Sequence, residues 1–127
     1  MFENMKNIFI LSLLSIILVS CSPRATSNLQ MLDKQIYAST PPSTVIITEG
    51  DISDKKYNVI GKISVKLSKW TALSPDHTRE DANNKLREEA AKKGANAVIF
   101  IRYSGPKITL TSWGVLEANG EAVRFEE

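Results

Sequence analysis

Apolar and polar positions divide the chain into stretches with different periods. Ile8 to Val19 is an apolar run broken only by Ser12 and Ser15. Residues 22 to 42 are rich in Ser, Thr, Ala, Gln and Asn and end in Pro41-Pro42, whose fixed φ stiffens the exit. Thr44-Val45-Ile46-Ile47-Thr48 is short and β-branched, and Glu49-Gly50-Asp51 is a turn signal behind it. Tyr57, Val59, Gly61, Ile63, Val65 and Leu67 then alternate with Asn58, Lys62, Ser64, Lys66 and Ser68, the period of a half-buried strand, with Ile60 the one exception. Gly61 lies on the apolar face of that strand, which predicts a bulge or a close approach by another backbone.

The period changes after Ser68. Ser74-Pro75-Asp76 supplies a capping hydroxyl, a proline whose missing N–H costs nothing and an acid at the positive end of a helix dipole. Thr78, with Asp81 three residues on, is a second possible cap. Lys92-Lys93-Gly94 supplies bases and then a left-handed exit, and Ala82, Leu86 and Ala90 form a small-residue inner face. Ala97 to Tyr103 is a near-continuous apolar strand, and Lys107 to Glu117 is expected as another. Asn119-Gly120, a strong hairpin signal, should turn that strand into a last one over Glu121 to Phe125. The expected fold is α+β, a small β-sheet with one covering α-helix in the order β-β-α-β-β-β.

The expected organisation is an export signal over residues 1–20, Cys21 and a flexible tether over 21–42, and one compact domain over 43–127. Within the tether, Leu29, Met31, Leu32 and Ile36 also allow a short amphipathic segment lying on the membrane or on the domain. The run from Ile8 is too short to span a bilayer, which takes roughly 20 apolar residues. Lys6 supplies charge before it, Ser20 a small residue after it, and Leu18-Val19-Ser20 leads directly into Cys21. Met5, followed by Lys6 and Asn7, makes a more natural start than Met1, whose flank holds Glu3.

Residues 5–21 thus resemble a bacterial lipoprotein signal. The resemblance implies cleavage before Cys21, a diacylglyceryl group on its sulfur and a further acyl chain on the new amino terminus. Ser22 stands where an aspartate would resemble an inner-membrane retention signal, which implies the outer membrane, facing the periplasm.

Charge and chemistry narrow the function further. The 127 residues carry 16 bases and 14 acids, net +2, and removal of Lys6 and Glu3 with the signal leaves that balance unchanged. So even a balance gives no argument for nucleic acid or for an electrostatic membrane patch, and no nucleic-acid partner is expected. Cys21 is the single cysteine, so once lipidated it leaves no thiol for a disulfide, a metal or a nucleophile. His77 is the single histidine. Asp76, His77, Glu80 and Asp81 gather on the first helical turns, and the i,i+4 spacing makes His77 and Asp81 the candidate ligands for an ion. Acids in a first turn are equally explained by the helix dipole. No phosphate loop and no serine with a base is visible, so the chain is expected to be non-catalytic and to need no cofactor. Trp70 and Trp113 either pack in the core or, beside Lys66, Lys69 or Lys107, present a surface to a partner.

Tyr57-Asn58-Val59-Ile60-Gly61, the Ala82, Leu86 and Ala90 helix face, Gly94-Ala95-Asn96-Ala97-Val98-Ile99 and Gly120-Glu121-Ala122-Val123 together resemble the YbjQ family. The helix and its Gly-Ala-Asn-Ala-Val exit are also similar to the outer-membrane stress-sensor lipoproteins of the Rcs phosphorelay. The second resemblance implies a lipid-anchored, non-catalytic module that binds an envelope protein or senses envelope stress. The first implies the alternative, a metal-binding ring. Each motif residue also has a structural reason. Gly94 allows φ > 0, Ala95 and Ala97 pack under the helix end, Val98 continues into the strand, and Asn96 can hydrogen-bond backbone groups in the tight turn.

Overall fold

In the computed structural model, residues 24–32, 34–69, 71–110 and 112–126 are described. Five strands, β1 (Arg24–Met31), β2 (Ile46–Ile47), β3 (Tyr57–Ser68), β4 (Ala97–Thr109) and β5 (Ser112–Phe125), form one sheet in the order β1-β3-β5-β4-β2. All pairs are antiparallel except β2 with β4. One helix, α1 (Arg79–Lys92), covers one face. The α+β class and the single covering helix are as expected, while the strand order is β-β-β-α-β-β.

The helix starts at the second of the two candidate caps. Thr78 Oγ1 accepts the Asp81 N–H at 3.2 Å while the Asp81 carboxylate accepts the Thr78 N–H at 2.7 Å. This reciprocal pair is what Ser74 lacks, and it decides where the helix begins. At the other end the Ala95 N–H reaches the Ala90 carbonyl and the Gly94 N–H the Ala91 carbonyl, with Gly94 at φ +79°. This is a Schellman motif built on the left-handed glycine that Lys92-Lys93-Gly94 predicts. Ala82, Leu86 and Ala90 are fully buried against Ile63, Val65, Leu67, Val98, Ile101, Leu116 and Ala118. Burying a leucine such as Leu86 contributes about 1.5–3 kcal/mol.

Gly61 behaves as its place on the apolar face predicts. The β3–β5 register slips between Val59 and Gly61, so Ile60 is the extra residue of a bulge and is driven into the core. A Cβ on Gly61 would sit 2.8 Å from the Gln30 carbonyl oxygen, the backbone of β1.

Two expectations are corrected. Residues 24–31, placed in the tether over 21–42, form edge strand β1, with Leu29 and Met31 packed on the core. The chain beyond it stays on the domain, for the Thr40 N–H reaches the Ala91 carbonyl and its hydroxyl the Ala95 carbonyl. The polar composition of β1 misled because its other face meets solvent. Asn119-Gly120 is likewise not a hairpin turn. β5 runs straight through it, and β4 turns into β5 beyond Thr109, which pairs with Ser112. Gly120 is needed there because a Cβ would stand 2.7 Å from Val98 Cγ1 and 3.1 Å from the Ile99 carbonyl oxygen.

Candidate functional site

The sheet has a second face that α1 does not cover. Side chains alternate across each strand, so residues between the helix-facing ones point away from α1. Register places Asn28, Ser64, Asn119 and Arg102 in one row across four strands, and Gln30, Lys62 and Glu121 in the next. A third row pairs Lys66 with Glu117, 3.6 Å apart. At the far end this face is closed by a small apolar cluster of Ala97, Ile99 and Val123, packed with Ile52, Tyr57 and Phe125. The open part is polar, mixed in charge, and holds a shallow depression of about 340 Å³.

Phe100 lines that depression. The β4–β5 register slips between Ile99 and Arg102, so Phe100 and Ile101 together oppose Gly120. Ile101 turns inward and is buried, whereas Phe100 stays 41% exposed. Its φ is +53°, the one positive value at a non-glycine among the described residues. A bulge of this kind normally takes glycine at the left-handed position, and a bulky residue there is a genuine outlier costing about 1–3 kcal/mol. The loop after β2 holds the bulge in place, because the Phe100 N–H donates to the Gly50 carbonyl at 3.1 Å and the Ile101 N–H to Thr48 at 3.3 Å. The sequence had not marked Phe100 or Arg102, since a bulge inside an apolar run leaves no periodic trace, and it had read Asn119 as part of a turn.

The predicted motif residues lie elsewhere, at the helix exit. The Asn96 side-chain carbonyl accepts the Phe125 N–H at 2.8 Å, its own N–H reaches Val123, and its backbone carbonyl accepts from Ile46. Arg124 closes the turn by donating to the Gly94 carbonyl at 2.7 Å. Ala95, Ala97 and Val98 are buried. This constellation fastens β2, β4 and β5 to the helix end and leaves Asn96 a structural residue.

His77 and Asp81 do approach each other, with Nδ1 and Oδ2 4.0 Å apart. Their polar atoms are otherwise occupied: Asp81 completes the helix cap, and His77 Nε2 lies 3.3 Å from the Ser68 carbonyl oxygen. The hydrogen bonds from the Thr78 backbone and hydroxyl hold the Asp81 carboxyl below its ordinary pKa, and His77 adds a smaller effect. Among the described residues no three His, Cys, Asp or Glu side chains gather as a metal would require. The pair therefore does not fit a metal centre. Trp113 is 55% exposed rather than in the core, while Trp70 and Cys21 lie outside the described residues.

Comparison with known families matches residues 36–126 to the YbjQ family, described as "Putative heavy-metal-binding". The chain belongs to the YbjQ family. No curated protein matches it. Among solved structures it is similar to a Francisella virulence factor, FvfA, crystallised in an orthorhombic form. The TM-score is 0.60 at 14% identity, over 78% of this chain and 97% of that one. That likeness extends the YbjQ-like fold without carrying a function across.

Proposed function

We propose that this YbjQ-family chain is a non-catalytic, lipid-anchored module of the bacterial outer membrane that faces the periplasm and binds an envelope protein, in the manner of a stress sensor. The observation that carries the reading is Phe100, a half-exposed aromatic kept in a strained conformation in the depression of the polar sheet face that α1 does not cover. Strain of this sort persists only where the surroundings enforce it, and it collects at working surfaces. An aromatic anchor ringed by Lys62, Arg102, Asn119 and Glu121 has the composition of a binding hot spot. Attachment rests on Leu18-Val19-Ser20-Cys21, and multiple acyl chains would hold the domain stably to a bilayer.

A photo-crosslinker placed at Asn119, on the open face, and at Asn84, on exposed α1, tests this in cells. A discrete protein adduct from Asn119 and none from Asn84 is expected. Adducts from Asn84 alone would move the binding surface to the helix.

The family description favours a second reading, a metal-binding oligomer. It requires a site shared between copies, because the described residues of one chain do not assemble one.

A further inference from the structure

One end of the sheet gathers exposed apolar side chains that neither the core nor the open face uses. At the β4–β5 turn Ile108 is 77% exposed, Leu110 fully exposed and Trp113 55% exposed. Leu73, 97% exposed, stands in the loop that leaves β3 at this same end. That loop is tied to the hairpin, since the Lys69 N–H donates to the Gly114 carbonyl and the Ser112 hydroxyl to the Lys69 carbonyl. A soluble surface seldom concentrates such residues without a use for them.

The position of the chain's entry decides what covers them. β1 begins at Arg24, which pairs with Ser68, and Ser68 pairs with Val115. The chain therefore enters the fold at the apolar end, opposite the Gly94–Asn96 turn. Cys21 precedes Arg24 by three residues, a reach of at most about 10 Å. An acyl group on Cys21 would thus tether the end of the sheet that carries the hairpin tip close to the bilayer. Exposed apolar side chains at the end of a sheet, beside the chain's entry, suit the soft interface of a bilayer. The tip's tryptophan is the residue that prefers the headgroup level, and exposed Lys107 beside it suits anionic headgroups.

We infer that the β4–β5 tip is a bilayer-docking surface: Ile108, Leu110 and Trp113 enter the interface of the membrane that holds Cys21, standing the domain end-on. The inference rests on the reading of Cys21 as a lipid anchor. In this posture the strands run away from the membrane and the Phe100 face stays open sideways to a partner.

The test uses the full processed chain purified from membranes, carrying Trp70→Phe so that Trp113 is the one indole. The chain is placed in phosphatidylethanolamine–phosphatidylglycerol vesicles with or without bromine on the acyl chains. Trp113 emission should shift to the blue and be largely lost in the brominated vesicles, and Ile108→Ser with Leu110→Ser should restore it. Equal emission in both vesicles, with acyl mass present on Cys21, overturns the docking and leaves the anchor standing. If the chain carries no acyl mass the anchor reading fails separately. Quenching on mixing that chain with vesicles then still supports the docking, and no quenching overturns it. Should Trp70→Phe not fold, oxidative footprinting of the unsubstituted chain reads the same contact. Vesicles should protect Trp113 and leave Phe100 reactive, and the reverse pattern overturns the inference.

Discussion

Replacing Gly94 by alanine should destabilise the domain more than its small size suggests. Two costs combine. At φ +79° an L side chain is strained, worth about 1–3 kcal/mol. The new Cβ would also stand 2.6 Å from both the Ala38 carbonyl oxygen and Tyr37 Cβ. That segment between β1 and β2 cannot simply move off, because Arg124 stacks on the Tyr37 ring at 4.6 Å while donating to the Gly94 carbonyl, and Thr40 is bonded to Ala91 and Ala95. Overpacking of this kind costs about 1–3 kcal/mol. Relief of one cost partly relieves the other, so a total of about 2–5 kcal/mol is expected. Gly94→Val should lie at the upper end because β-branching worsens the strain. Urea denaturation followed by circular dichroism measures it, with Gly50→Ala as the comparison. A Cβ there would meet nothing nearer than Thr48 Oγ1 at 4.0 Å, so its effect should stay within about 0.5 kcal/mol. Equal midpoints for Gly94→Ala and Gly50→Ala would refute the reasoning.

Further expectations concern the cap, the anchor and metals. Thr78→Ala should cost about 1 kcal/mol through loss of the capping box. The Asp81 pKa is lowered by folding, so its contribution is full above the ordinary value of 3.8 and is lost as pH falls through the lower folded value. The wild-type advantage over Asp81→Asn should therefore shrink only in that acid range, as denaturation curves at stepped pH would show. Cys21→Ser should release the chain from membranes or stall its precursor, and mass spectrometry should find acyl mass on the unsubstituted protein alone. A membrane fraction unchanged by the substitution would remove the anchor. Calorimetry against Zn²⁺, Cu²⁺ and Ni²⁺ should show no stoichiometric site. A micromolar site lost in His77→Ala would favour the metal-binding alternative.

Local signals with a single physical meaning were legible. The Gly94 exit and the Ala82–Leu86–Ala90 face each follow from one constraint and stand where the sequence places them, and at Gly61 both readings are met, a bulge beside it and the β1 backbone against it. Signals with two meanings were resolved only by tertiary context. Asn119-Gly120 has hairpin chemistry, yet its glycine serves to clear Val98 and Ile99 opposite the β4 bulge. The stretch Arg24–Met31 reads as polar linker because half of its side chains face the open surface. The candidate site was the least legible part. Nothing in Ala97 to Tyr103 tells that Phe100 leaves the strand's alternation, since both faces of that run are apolar.

The central claim is that Phe100 is the anchor of a protein-binding face. Phe100→Gly tests it most directly, measured by the adduct yield from a crosslinker at Asn119. Glycine suits the left-handed position, and the strain it relieves is offset by its own entropy cost of about 0.5–1 kcal/mol and by lost ring packing. The variant should therefore fold with stability close to the original. Removing a hot-spot aromatic costs about 2 kcal/mol or more in binding, roughly thirty-fold in affinity. The account predicts a folded protein whose Asn119 adduct is nearly lost. A folded Phe100→Gly variant that gives the adduct undiminished would contradict it.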